Sequence, residues 1–206
     1  MTPLIVTGTN TGVGKSIVSA GLTMALGATY WKPVQSGLED ETDSELVARL
    51  TGAKILPETY RLPMPASPHL SAEDAGVTID LSTLSLPNTD GPLVVEGAGG
   101  VMVPLTRQHY YLDLFAQWGA PIVLVARTQL GTINHTTLSL MALRNAGCNV
   151  VGVIFNGPPE PEVEDTIAEM SNVPHLGRLA PLPDLAPDAL SAAMTAIDMA
   201  TIRGAL

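Results

Sequence analysis

The sequence predicts a doubly wound α/β fold with a mostly parallel sheet, of the P-loop nucleoside triphosphate hydrolase type, as one domain over residues 1–206. The apolar runs "LIVTG" (4–8), "LVVEG" (93–97), "PIVLVA" (121–126) and "NVVGVIFN" (149–156) are continuous rather than alternating, as strands buried on both faces are. Helical stretches separate them, the order expected of crossover connections. The first run leads into "GTNTGVGKS" (8–16), a glycine- and threonine-rich turn that ends in Lys-Ser and opens a helix.

Taken in order, strand 4–8 is followed by a helix predicted from Ser16 to Leu26, and "ATYWKP" (28–33) is a further strand candidate. A helix is expected from Ser44 to Leu50, with Asp43 placed to cap its N-terminus. The proline-bearing stretch from Pro57 to Pro68 reads as a long surface loop, a kind of segment that often carries function. Beyond strand 93–97 come a helix over Leu112 to Trp118, strand 121–126, a helix over Asn134 to Ala146 and strand 149–156. A helix over Glu162 to Met170, a strand candidate "HLGRL" (175–179) and a helix from Pro187 to Ile202 complete the chain, with no internal repeat. In open sheets of this kind ligands bind beyond the carboxyl ends of the strands, so the informative residues follow each apolar run.

Composition narrows the function classes. Hydrophobic residues make up 46% of the 206 and charged residues 15%, enough apolar material for a large core. A net charge of −10 repels nucleic acid and anionic membranes, so neither is an expected partner. Cys148 is the single cysteine, which excludes an internal disulfide and a cysteine-based zinc site; a buried structural thiol is expected. No basic signal region precedes "PLIV", and every apolar run is far shorter than the roughly 18 residues of a membrane helix, so a soluble, cytoplasmic protein is expected.

The opening turn has one residue more than the general phosphate-loop pattern, with Gly8 and Gly14 separated by five residues rather than four. Its residues Thr9, Asn10, Thr11, Gly12, Val13 and Gly14, with Lys15, Ser16 and Ile17 at the helix start, form the expected nucleotide cradle. Backbone N–H groups and Lys15 would hold phosphate oxygens, and the Ser16 hydroxyl would ligate Mg²⁺. The extra residue makes the loop bulge at its start, where Thr9 to Thr11 could meet a second substrate. In "YWKPVQSG" (30–37), Lys32 would set a second cation opposite Lys15, with Ser36 in the following turn. Glu96 ends "LVVE" at a Walker-B-like position, followed by the flexible "GAGG". Asp43 is either a second metal carboxylate or a helix cap. Asn156 closes a strand and either reads a nucleobase or forms a turn. His69 and His135 have both packing and functional readings open.

Together, "GTNTGVGKS", "YWKPVQSG", "SPHLSAE", "VEGAGGVMVPL", "LGTINHTTL" and "GVIFNG", in that order, resemble the dethiobiotin synthetase family. The family's phosphate loop has the same five-residue spacing. The resemblance implies a homodimer with sites near its interface, acting on 7,8-diaminopelargonic acid, CO2 and ATP with Mg²⁺. It implies carbamate formation at N7, attack of the carbamate on the γ-phosphate, and closure of the mixed anhydride by N8. By the same resemblance, Lys15 and Lys32 stabilise charge on the phosphoryl group and carbamate, and Ser16, Asp43 and Glu96 hold Mg²⁺. Thr11, Ser36, Gly97, Ala98 and Gly99 contact the diamine and carbamate. Gly131, Thr132 and Asn134 reach the partner's site, and Asn156 faces the base with Pro181 and Leu182. Two departures stand out: Gln35 is larger than the residue some members carry, and Gly157 replaces an acidic residue common after Asn156.

The alternative is a nucleotide-dependent switch ATPase of the partitioning or division-site class. Those proteins carry a signature lysine near the loop's start, where this chain has Asn10, and often a membrane-binding tail. A synthetase domain served by a glutaminase is a further alternative, but 206 residues and one cysteine leave no room for the glutaminase.

Overall fold

The structure is a computed structural model describing residues 2–206. Among the described residues, strands β1 (Leu4–Gly8), β2 (Thr29–Trp31), β4 (Ile55–Leu56), β6 (Leu93–Gly100), β7 (Ile122–Arg127), β8 (Val150–Asn156) and β9 (His175–Leu179) form one sheet, in the order β4-β2-β6-β1-β7-β8-β9. Every pairing in it is parallel. A small parallel sheet joins β3 (Val34–Ser36) to β5 (Tyr60–Leu62).

Strand periodicity divides the core in two. Side chains of a strand alternate between faces, and in β1 Leu4 and Val6 point to one layer while Ile5 points to the other. The first layer is closed by α1 (Lys15–Leu26), α2 (Asp43–Thr51), α7 (Pro187–Ala193) and α8 (Met199–Gly204), through Val18, Leu22, Leu50, Leu190 and Ile202. The second is closed by α3 (Pro68–Asp74), α4 (Tyr111–Trp118), α5 (Thr132–Asn145) and α6 (Pro161–Ser171), through Ala72, Phe115, Leu140 and Ile167.

The structure changes four expectations. The stretch 57–68 is not wholly loop, because β5 pairs with β3 and fixes the path of the chain toward Pro65 and Pro68. The helix expected over 187–202 is broken: Ile197 turns extended and bridges Gly177 at the edge of β9, and the Asp198 N–H donates to Leu176 O at 2.8 Å. The Asp198 carboxylate then caps α8. Asp43 is not the cap of α2; Thr42 is, in a reciprocal capping box with Glu45, since the spacing Thr-x-x-Glu satisfies two orphan donors at once. Glu96 does not end its strand, because β6 runs on through the glycines to Gly100, which pairs with Gly8 of β1.

Candidate active site

The carboxyl ends of β1, β2 and β6 come together, and the site is built there. Gly14 has φ 92°, and a Cβ on it would lie 2.1 Å from Asn156 Nδ2, so only glycine fits. That amide nitrogen donates to Val13 O at 3.0 Å, so the end of β8 clamps the loop from behind. On the other side the loop passes over β6, where a Cβ on Gly100 would stand 3.1 Å from Thr9 O. Lys15 Nζ closes the curl by donating to Asn10 O at 3.1 Å. The N-terminus of α1 has no side-chain cap and no acidic residue in its first turn, so its free N–H groups and positive dipole end are open to an anion.

Beside the loop lies a buried charge cluster. Glu96 is wholly buried, and an unpaired carboxylate there would cost several kcal/mol. Its Oε1 meets Ser16 Oγ at 3.0 Å and Lys32 Nζ at 3.0 Å, and its Oε2 accepts from the Tyr30 hydroxyl at 3.0 Å. Lys32 Nζ also donates to Asp43 Oδ2 at 2.6 Å and to Gly97 O at 3.1 Å, using all the donors an ammonium has. The Ser16 hydroxyl contacts Asp43 as well. The capping of α2 by Thr42 leaves the Asp43 carboxylate free for these contacts.

The two lysines are shifted in opposite directions. Burial, with the nearby Lys32 charge, lowers Lys15 to about 8. For Lys32 burial acts in the same direction, but the Glu96 and Asp43 carboxylates outweigh it and hold the ammonium above its ordinary value. Asp43 would be raised by burial, and Lys32 and Ser16 reverse this and keep it ionised below its ordinary value. Burial, and then the Glu96 charge, raises Tyr30 well above its ordinary value, so it stays a hydrogen-bond donor.

These groups open on a cavity of about 580 Å³. Of the residues singled out in the sequence, it is lined by Thr11, Gly12, Gly14, Lys15, Ser16, Ile17, Lys32, Ser36, Asp43, Glu96, Ala98 and Gly99. Val13 is buried beneath the loop, and Thr9 and Asn10 border a neighbouring groove. Gly97 contributes its carbonyl to Lys32, and its Cα packs against Phe115. Asn156 lies behind Gly14 rather than on the cavity wall, and Pro181 and Leu182 stand in the β9–α7 connection away from it. Gly131, Thr132 and Asn134 also lie off the wall: Gly131 precedes α5, Thr132 is buried against Thr136, and Asn134 is exposed.

Sequence reasoning missed part of the wall, namely Leu46 and Val103, whereas Pro65 to Pro68 belong to the 57–68 stretch read as a segment of the kind that carries function. It also missed Tyr30, whose signal was available: Tyr30 and Lys32 are two residues apart and share one face of the extended chain. Among the described residues no group of three or more His, Cys, Asp or Glu side chains converges. A cation here would take two carboxylates and the Ser16 hydroxyl, a set of hard oxygen donors suited to Mg²⁺.

A family model described as an AAA domain matches residues 2–189. The chain is 58% identical to an ATP-dependent dethiobiotin synthetase of Rhodopseudomonas palustris (strain HaA2), over 93% of this chain and 91% of that one. It is 57% identical to the ATP-dependent dethiobiotin synthetase of Agrobacterium fabrum (strain C58), over 90% and 89% of the two chains. Among solved structures, the septum site-determining protein MinD complexed with Mg-ADP from Pyrococcus horikoshii OT3 aligns with TM-score 0.57 at 18% identity, over 98% of this chain and 97% of that one. A ParA family ATPase from Chlorobium tepidum TLS aligns with TM-score 0.54 at 10% identity, over 99% and 97%. The last two share the fold alone. With identity this high over nine-tenths of its length, the chain belongs to the ATP-dependent dethiobiotin synthetase family.

Proposed function

We propose that this chain makes dethiobiotin from 7,8-diaminopelargonic acid, CO2 and ATP, with Mg²⁺, releasing ADP and phosphate. In class terms it is a cyclo-ligase forming carbon–nitrogen bonds, one P-loop ligase domain over 1–206, working in the cytoplasm. The observation that carries the reading is one cavity joining the phosphate loop to Lys32 and Ser36, in a chain 58% identical to a dethiobiotin synthetase over 93% of its length.

Each residue has a part in this reading. The loop from Thr9 to Ile17 holds the triphosphate through its backbone and the N–H groups of α1, and Lys15 binds the terminal phosphates. Ser16, Asp43 and Glu96 would hold Mg²⁺; the two carboxylates already meet at the Lys32 ammonium, and both contact the Ser16 hydroxyl. When bound, the metal neutralises charge on the phosphate oxygens. Lys32, held as a cation, stabilises the N7 carbamate and the phosphoryl group it attacks, as a fixed charge rather than a proton carrier. Thr11, Ser36 and the backbone of Gly97 to Gly99 orient the diamine. Ring closure by the N8 amine expels phosphate from the mixed anhydride. Asn156, Pro181 and Leu182 flank the base; the Asn156 amide nitrogen is tied to the loop, leaving its oxygen for that contact.

The reading includes a homodimer with sites near the interface. It is supported by an apolar surface on and before α5: Leu130 is fully exposed, and Ile133, Leu138 and Met141 are exposed too. Met102, His135 and Leu138 border a groove that also touches Thr9 and Asn10, so a partner on this face sits beside the phosphate loop. Gly131, Thr132 and Asn134 would then reach the partner's site and receive the substrate carboxylate.

The test is phosphate release from ATP, Mg²⁺ and bicarbonate with and without the diamine, with mass spectrometry of the product. Diamine-dependent release matched by dethiobiotin is expected. Hydrolysis indifferent to the diamine, with no such product, would overturn the reading.

A further inference from the structure

The cavity wall carries polar atoms that neither the charge cluster nor the phosphate loop uses. Gln35, in β3, lines the cavity and is 7% exposed. Its Nε2 donates to Ser36 O at 3.2 Å and to Gly37 O at 3.2 Å. Both partners are carbonyl oxygens, which only accept, so the amide cannot be turned the other way round. Oε1 is therefore the atom left over, and it is buried without a hydrogen-bond partner, as is Ser36 Oγ beside it. A buried acceptor without a donor is costly, and one that belongs to a cavity-lining residue is placed to be completed by a ligand.

The chemistry of the pair is selective. Oε1 can only accept, so it recognises an N–H or O–H and rejects a carboxylate or phosphate oxygen. The rest of the wall treats charge differently: Lys15 keeps donors free for an anion, and Asp43 and Glu96 are already engaged by Lys32 and Ser16. A substrate with two neighbouring amino groups brings donors to a cavity otherwise arranged for phosphate and carbamate.

We propose that Gln35 is a specificity-determining residue whose Oε1 accepts an N–H from one of the two amino groups of the diamine, sorting the amine that stays free from the one that becomes carbamate. The inference rests on the proposed function and deepens it. Gln35 touches substrate without taking part in bond making, so its removal affects recognition and regiochemistry more than phosphoryl transfer.

The test uses the full chain, wild type and Gln35→Met, with 7-aminopelargonic and 8-aminopelargonic acids as competitive inhibitors against the diamine. Loss of a hydrogen bond to a charged amine is expected to weaken one of the two analogues about tenfold or more and leave the other within about twofold. The KM for ATP is expected to stay unchanged, which shows that the loop and cavity survive. Equal weakening of both analogues would assign Gln35 a structural role and overturn the proposal, as would no change in either. A wild-type chain that does not turn over the diamine would overturn the functional reading, and this inference with it.

Discussion

Replacing Lys15 with methionine should stabilise the nucleotide-free protein while abolishing turnover. Lys15 is buried, and its Nζ has one hydrogen bond, to Asn10 O, whereas the two carboxylates of the cluster are bonded to Lys32. Burial, and then repulsion from Lys32, lowers its pKa from 10.5 to about 8. At about 1.4 kcal/mol per tenfold, that fall corresponds to about 3 kcal/mol of destabilisation carried by the charged form. The sign follows from linkage. Below about pH 8 Lys15 is charged in both states and the folded state carries the whole penalty; as pH rises from 8 toward 10.5 the folded protein sheds the proton and the penalty fades. Urea unfolding in EDTA without nucleotide should find Lys15→Met more stable by about 3 kcal/mol at pH 7 and by only about 1 kcal/mol at pH 9.5. In a chain of this size the neutral-pH difference corresponds to a rise in Tm of about 6 to 12 °C. A variant no more stable than wild type at pH 7, or a difference indifferent to pH, would refute the reasoning. The penalty is the cost of keeping a cation ready for phosphate.

Lys32→Ala is expected to do the opposite, losing about 3 to 5 kcal/mol in urea unfolding because Glu96 and Asp43 lose their cation, and lowering kcat by a factor of 100 or more, roughly what loss of one transition-state charge partner costs. Tyr30→Phe removes the donor to Glu96 Oε2, and calorimetric titration should find Mg²⁺ binding weakened together with about 1 to 3 kcal/mol of stability lost; unchanged metal affinity would separate Tyr30 from the site. Gly14→Ala places a methyl against Asn156 and demands φ near 92°, so ATP binding should be undetectable by calorimetry even if the fold persists. Leu138→Glu, on the exposed face of α5, should convert a dimer to a monomer in sedimentation velocity; a wild type that already sediments as a monomer would remove the dimer from the proposal.

How far the sequence could be read depended on whether a feature is local. The strands of β1, β6, β7 and β8 were legible because a strand buried on both faces must be continuously apolar, and the loop 8–16 because phosphate binding needs its glycines, lysine and hydroxyl in adjacent positions. Short elements such as β3, β4 and β5 were not legible, since strands of two or three residues carry too little pattern and are stabilised by their pairing partners. The break at Ile197 likewise depends on the edge of β9, which lies about 20 residues earlier in the chain.

The sequence by itself determined the fold class and singled out the glycine-rich loop, the two lysines and Glu96, because each sits in a contiguous motif. Only the tertiary structure decided how those groups share charge. Residues from β2, α1, α2 and β6 meet around Lys32, leaving Lys15 unpaired and Gln35 Oε1 without a donor. Partnership between side chains so distant along the chain is set by how the sheet orders its strands and how a capped helix end is aimed, and local pattern carries no record of either.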